Sequence, residues 1–227
     1  MRQLAIELPR LIAHGRADFL VSGCNSAAIG WIERWPEWPV PVSVLHGPPG
    51  SGKSHLKQIW AEKSGAVLLA GAELAQHAPS EIASRRAVAL DDAEAAPEEA
   101  LLHLYNCCGE TAASLLVVAR QAPASWPIAL PDLASRLRAA PSMAILPPDD
   151  ALLAALLVKH FADRQVRVEP EVVDFLLRRI ERSFAAAAEI ADRLDRMALH
   201  AQRAITIALA RQAMADQPSL PSDFAVT

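Results

Sequence analysis

Gly47-Pro48-Pro49-Gly50-Ser51-Gly52-Lys53-Ser54 is the stretch on which the reading of this chain turns. The short apolar run Val42–His46 leads into it, and Lys53–Ser64 leaves it with helical periodicity. A strand, a glycine-rich turn and a helix in that order fit GxxxxGK[ST], a loop built for phosphate. The glycines let backbone N–H groups turn inward around the anion, and the helix N-terminus adds partial positive charge. Lys53 is expected to reach the β- and γ-phosphates of ATP or ADP, and Ser54 to offer its hydroxyl to Mg²⁺. Three of the nine glycines fall at 47, 50 and 52, and this chemistry accounts for their clustering. All eight residues from Gly47 to Ser54 are expected to bind nucleotide.

Such a loop needs a metal-side carboxylate at the end of a second buried strand. Ala87-Val88-Ala89-Leu90 followed by Asp91-Asp92 supplies it. Asp91 is expected to hold Mg²⁺ through water and Asp92 to orient an attacking water; the alternative is that both cap the helix near 97–108. Further outward, the apolar runs Ala66–Leu69, Leu115–Ala119 and Met143–Leu146 join Val42–His46 and Ala87–Leu90 as strand candidates. Helical stretches lie between them, notably Lys53–Ser64 and Glu98–Cys108. This alternation predicts a parallel five-stranded sheet with helices on both faces. Upstream, residues 25–35 read as a helix with Asn25 as N-cap, ended by Pro36, Pro39 and Pro41.

Beyond Pro147-Pro148 no strand pattern remains. Helices are predicted from Asp149/Asp150, Pro170, Ser183 and Thr206, each a residue type suited to a helix start. The predicted organisation is a tail over 1–15, an α/β nucleotide-binding base over 16–148 and a small all-helical domain over 149–227.

Composition narrows the function classes. Of 227 residues 52% are hydrophobic, enough for a sizeable core and incompatible with intrinsic disorder. No apolar run approaches the ~20 residues of a membrane helix. Glu7, Pro9 and Arg10 come too early for a signal peptide. Cys24, Cys107 and Cys108 have no CxxC spacing, which disfavours a disulfide scaffold or zinc site and leaves the cytoplasm as expected compartment. A formal charge of −4 argues against a protein whose main grip is on phosphate backbone. Trp31, Trp35 and Trp38 suit core and interdomain packing, with adenine stacking as the other use. His46 and His55 flank the loop without a metal-ligand partner at useful spacing.

Together these segments resemble the bacterial initiator DnaA and its relatives in the AAA+ superfamily. Gly52-Lys53-Ser54-His55-Leu56 is similar to that family's P-loop, and Asp91-Asp92 to its Walker B motif. Asp18-Phe-Leu-Val-Ser-Gly-Cys-Asn25 resembles the segment that lies against the adenine. Pro131-Asp-Leu-Ala-Ser-Arg136-Leu is similar to the segment holding the arginine finger, and Ile205-Thr-Ile-Ala-Leu-Ala-Arg211 to the end of the helical lid. The resemblance implies that 149–227 is this lid, and that Arg136 is the finger, with Arg138 as the alternative.

Two departures refine the resemblance. About a dozen residues follow Met214, too few for the helix-turn-helix DNA-binding domain of an initiator. At the other end, Gln3-Leu4-Ala5-Ile6-Glu7-Leu8 resembles the QLxLxL peptide that binds the bacterial sliding clamp. Gln3 would hydrogen-bond at the pocket mouth, while Leu4, Ile6 and Leu8 present apolar anchors from an extended strand. The combination is similar to the DnaA-related regulators of the Hda type, which on the DNA-loaded clamp promote hydrolysis of DnaA-bound ATP. The implied partners are DnaA and the DNA polymerase III clamp (its β subunit), with a homo-oligomer and indirect contact with DNA as further expectations. No membrane is implied, and the implied place is the cytoplasm, at the nucleoid through the clamp.

Family features are missing too. After Leu115–Ala119 the expected polar or acidic sensor is replaced by Ala119-Arg120. The lid's sensor arginine is replaced by alanines near Ala186, with Arg182 and Arg193 as substitutes to consider. The chain's own ATP hydrolysis is therefore expected to be weak or absent. The competing readings are a small-molecule P-loop kinase, a DNA-linked AAA+ loader or accessory ATPase, and a clamp-tethered relative that regulates by binding alone.

Overall fold

The computed structural model describes residues 15–215. Two compact units divide the chain: one runs to Pro48 and from Gly52 to Leu146, and the other takes Pro49–Ser51 and the chain from Pro147.

The first unit is a three-layer α/β arrangement. In chain order it contains α1 (Ser26–Arg34), β1 (Val42–His46), α2 (Lys53–Ser64), β2 (Val67–Ala70), α3 (Pro79–Ala83), β3 (Ala87–Asp91), α4 (Glu98–Thr111), β4 (Ser114–Ala119), α5 (Pro131–Ala139) and β5 (Ser142–Ala144). The strands form one parallel sheet in the order β2-β3-β4-β1-β5. Val44, Val88, Leu115, Leu116 and Val117 are fully buried, as expected of strands covered on both faces. β4 lies between β1 and β3, in register Val42↔Leu115 and Ala87↔Ser114. Because the strands are parallel, the loop after β1 and Asp91 at the end of β3 emerge at the same edge, one strand apart. Carboxyl ends of parallel strands are where such sheets place ligands.

Local chemistry explains the element ends. α2 is bracketed by Gly52 (φ 92°) and Gly65 (φ 68°), both in left-handed backbone that disfavours other residues. α3 and α5 were not predicted as helices from periodicity; Pro79 and Pro131 in their first turns are the start signals. Glu98, at the start of α4, accepts from Ala129 N at 2.9 Å and Leu130 N at 2.7 Å, tying α4 to the lead into α5.

Some predicted bounds shift. β2 is one residue later than expected. β5 ends at Ala144, and Leu146 is exposed just before Pro147-Pro148, which have no N–H to extend a ladder. α4 runs on to Thr111 and stops at left-handed Ala112. Asn25 stands at the N-cap of α1 but makes no side-chain cap. Its amide accepts from Ser22 N at 2.9 Å and donates to Leu20 O at 2.8 Å, so the side chain braces the preceding segment instead.

The tryptophans pack with a fourth, Trp60 of α2. Trp38 stacks on Trp60 at 5.2 Å and on Trp31 at 5.9 Å, while Trp35 meets Trp60 edge-on at 6.3 Å. Three of the ring N–H groups are satisfied within the unit: Trp31 donates to Ser43, Trp35 to Ser114 and Trp38 to Trp31 O, while the Trp60 N–H is buried without a partner among the described residues.

The second unit is helical: α6 (Asp150–Ala162), α7 (Pro170–Leu177), α8 (Phe184–Ala201) and α9 (Ile207–Ala215). Asp149, Ser183 and Thr206 accept from Leu152 N (2.7 Å), Ala186 N (3.1 Å) and Leu209 N (3.3 Å), so these helix starts have capping oxygens. Its core joins Leu153, Leu157, Phe161, Leu176, Ile190, Leu194 and Leu209. Arg164, 9% exposed, lies between Asp192 (3.5 Å) and Asp195 (3.8 Å) and bonds His160 O, linking the end of α6 to α8. Among the described residues no helix is long and apolar enough to cross a membrane.

Candidate functional site

The glycine loop has the backbone its sequence demands. Gly50 (φ 74°) and Gly52 (φ 92°) are both left-handed. A Cβ on Gly52 would also lie 3.1 Å from the Phe19 ring, so residue type there is constrained twice. Phe19, in the segment expected to lie against the adenine, is buried and meets His55 edge-to-face at 5.2 Å.

Lys53 opens α2 and folds back over the loop. Its ammonium donates to Gly47 O at 2.7 Å and Pro48 O at 2.9 Å. Burial pulls its pKa below the usual lysine value; Asp91, Glu94 and Asp92 oppose that shift, and Arg120 adds to it. The same ammonium, after burial itself, helps hold the His46 imidazole below its ordinary pKa. Ser51 Oγ is buried and has no hydrogen-bond partner among the described residues. A cation poised over the loop, left-handed glycines and an unpartnered hydroxyl fit an incoming phosphate.

The carboxylates expected on the metal side already have partners. Asp91 stands at the tip of β3 as expected, but its Oδ2 is ion-paired with Lys57 of α2. Its Oδ1 accepts from Asp92 N at 3.1 Å. Asp92, in left-handed backbone (φ 45°), faces Arg120 Nε at 3.5 Å. It begins the short turn Ala93–Ala95 without a side-chain cap, and it does not cap α4. Glu94 accepts from Arg120 N and from Gln121 N, the latter at 3.3 Å, and so fixes the chain just beyond β4. Among the described residues no three His, Cys, Asp or Glu side chains converge as a metal cage. Asp91, the expected metal-side carboxylate, is thus already paired with an ammonium.

Sequence reasoning missed Lys57, Glu94 and Gly71. Lys57 is one turn beyond Lys53, but its partner Asp91 is distant in sequence, so no local signal marked it. Gly71, just after β2, lies so close to Asp92 that a Cβ would sit 2.4 Å from the Asp92 carbonyl oxygen.

Arg136 lies elsewhere, on the outer face of α5. It bonds Asp132 at 2.9 Å, its guanidinium is 5.9 Å from the Tyr105 ring, and its side chain is 43% exposed. Arg138 is exposed on the same helix. The candidate lid-sensor substitutes are engaged within the helical unit: Arg182 with Asp150 at 2.8 Å, and Arg193 with Ala213 O at 2.7 Å. Gln3, Leu4, Ile6 and Leu8 lie outside the described residues.

Residues 149–214 match the family model described as "Hda, lid domain". The fold is similar to domain III of the Thermotoga maritima replication initiation protein DnaA, with a TM-score of 0.76 at 15% identity over 92% of this chain and 98% of that one. AMPPCP-bound DnaA from Aquifex aeolicus gives a TM-score of 0.63 at 18% identity, over 75% of this chain and 61% of that one. RuvB of Thermotoga maritima gives 0.62 at 15%, over 84% and 66%. At these identities the structural likeness is one of fold. Residues 149–214 thus match a lid domain of the Hda type, on a chain whose fold is similar to that of DnaA domain III.

Proposed function

We propose that this chain is a DnaA-related negative regulator of replication initiation. It binds an adenine nucleotide at its own P-loop and promotes hydrolysis of ATP held by DnaA while tethered to the DNA-loaded sliding clamp. The observation that carries this reading is the Hda-type lid over 149–214 joined to a DnaA-like base.

In this reading the chain's own nucleotide is structural. Gly47–Ser54 cradles the phosphates, and Lys53 turns from the loop carbonyls to the β-phosphate. Bound DnaA structures carry AMPPCP, an ATP analogue, which supports an adenine nucleotide here. Asp92, paired with Arg120, is poorly placed to activate water, in keeping with weak hydrolysis of its own. Arg136 acts outward instead. A guanidinium inserted at a neighbour's γ-phosphate stabilises charge that develops in the transition state. Gln3, Leu4, Ile6 and Leu8 hold the clamp, which concentrates the regulator at replicating DNA.

Phosphate release tests the reading. The purified chain is mixed with DnaA-ATP, with DNA-loaded clamp, and with both. Stimulation is expected only with both, and lost on the order of a hundredfold in Arg136→Ala. Arg136→Lys should rescue poorly, because an ammonium lacks the planar fork that spans two phosphate oxygens. Gln3→Ala/Leu4→Ala should lose clamp binding with nucleotide binding intact. No stimulation by the wild type under any condition refutes the proposed activity.

A further inference from the structure

The residue that the family resemblance leaves unused is Lys57. We infer that Lys57 is a built-in counter-charge for Asp91, and that this chain binds the phosphates of its nucleotide with little dependence on a divalent cation. The inference rests on the nucleotide-binding reading above.

Three observations carry it. First, the Lys57–Asp91 pair is enclosed: the two side chains are 16% and 27% exposed. An ion pair at that depth is less screened by water than a surface pair. Second, its geometry is set by regular structure rather than by a loop. Lys57 is on the second turn of α2, four residues after Lys53, so both ammonium groups leave the same face of one helix. Asp91 is the last residue of β3, held in register beside Ala70 of β2. Third, the remaining carboxylate chemistry is also occupied. Asp91 Oδ1 takes the Asp92 N–H, Asp92 faces Arg120, and Glu94 takes the N–H groups of Arg120 and Gln121.

The electrostatic consequence follows by counting charges. Lys53, Lys57 and Arg120 balance Asp91, Asp92 and Glu94, and the charges of Asp91, Glu94, Asp92 and Arg120 are all felt at Lys53. In a P-loop site with unpaired carboxylates, bringing in a polyphosphate piles negative on negative, and a divalent ion relieves it. Here the carboxylates are neutralised before any ligand arrives. Mg²⁺ demands near-octahedral oxygen ligation through one or two carboxylates plus phosphate oxygens. To take Asp91 it has to displace an ammonium. The displaced Lys57 would then be left without its carboxylate in a largely enclosed position. An ammonium neutralises Asp91 but is singly charged and cannot bridge Ser54 to the phosphates, so the substitution favours holding a nucleotide over cleaving it.

The test is ADP binding by calorimetry on the full chain, in excess MgCl₂ and in excess EDTA. Wild type should keep its Kd within about threefold between the two. Lys57→Met exposes Asp91 to the phosphates and frees it for metal, so its affinity in EDTA should fall about tenfold or more below that in MgCl₂. Adding Asp91→Asn to Lys57→Met removes both charges and should return the ratio to about threefold or less. Mn²⁺ provides an independent readout: with the protein in excess over ADP, so that little free ADP remains to chelate the ion, its electron paramagnetic resonance signal should stay that of unbound ion with wild type and be depleted with Lys57→Met. A wild type that loses tenfold on chelation, or a folded Lys57→Met with an unchanged ratio, overturns the inference. Absence of ADP binding by the wild type in both conditions instead overturns the nucleotide-binding reading, and this inference with it.

Discussion

Gly71→Ala and Gly109→Ala are the same chemical change with opposite expected signs. At Gly71 the new Cβ would lie 2.4 Å from the Asp92 carbonyl oxygen and 3.1 Å from both Asp92 C and Ala96 N. All of these are backbone atoms, so no flexible side chain can yield. To open the nearest contact even to 3.0 Å, the carbonyl has to retreat by 0.6 Å. That oxygen accepts from Ala95 N at 2.9 Å, so its retreat disturbs the turn that positions Asp92 and Glu94. Overpacking of this kind costs ~1–3 kcal/mol. Against it stands a gain of ~0.4–1 kcal/mol from a less flexible unfolded chain. The net expectation is a loss of up to about 2.6 kcal/mol, or as much as several degrees of Tm for a chain of this size. At Gly109, within α4, nothing lies within 4 Å of the new methyl. Alanine there should stabilise by about 0.5–1 kcal/mol through helix propensity. Thermal and urea unfolding of the three proteins side by side would measure both. If Gly71→Ala is as stable as Gly109→Ala, the close approach of Gly71 to the Asp92 backbone is wrong.

Two other predictions concern titratable groups away from the phosphate loop. Burial pushes the Cys108 thiol up to about 12, so iodoacetamide at neutral pH should leave it unmodified in the folded chain and alkylate it once urea unfolds the protein; rapid native alkylation mapped to Cys108 by mass spectrometry would contradict its burial. His160 is held below its ordinary pKa by burial first, then by Arg164 and Lys159, against Asp163. The folded state then binds fewer protons than the unfolded one, so this stability is complete above about pH 6.5 and is lost as pH falls from there toward the folded pKa. Urea unfolding at several pH values should show that slope, and His160→Gln should flatten it.

Much of the fold was legible because its signals are local. β1 and α2 fall where the apolar run, the glycines and the helical periodicity put them. So do the starts of α6, α7 and α8, where Asp149, Pro170 and Ser183 act as helix-start residues. The strand order was not legible, since a buried run such as Leu115–Ala119 carries no mark of its neighbours. Asn25 shows the limit of residue type as evidence. It stands at the N-cap but spends its amide on Ser22 N and Leu20 O. The five-residue helix α3 lacked the length for periodicity to register. Lys57 was illegible for a different reason. A lysine in mid-helix ordinarily faces water, and its partner Asp91 is 34 residues away. Only the placement of β3 beside β4, and of α2 above the sheet, brings the two together. Gly71 is likewise constrained by the Asp92 backbone, a neighbour that its local sequence does not name.

The contrast between Lys57 and Arg136 bears on the proposed function. Both cations pair with an aspartate, but in different surroundings. Lys57 and Asp91 are mostly enclosed, whereas Arg136 and Asp132 are 43% and 57% exposed on a single helix face. An exposed i, i+4 pair contributes only about 0.3–0.5 kcal/mol, and screening by salt reduces it further. Arg136 can therefore leave Asp132 for a stronger acceptor at little cost. Asp132 and the Tyr105 ring meanwhile hold the guanidinium outward, so less rotamer freedom is lost when it docks. Releasing Lys57 strands a half-buried charge, so the cation beside the chain's own phosphates stays in place. The available cation thus points outward and the committed cation lies inward. That asymmetry suits a protein that retains its own nucleotide while working on a partner's.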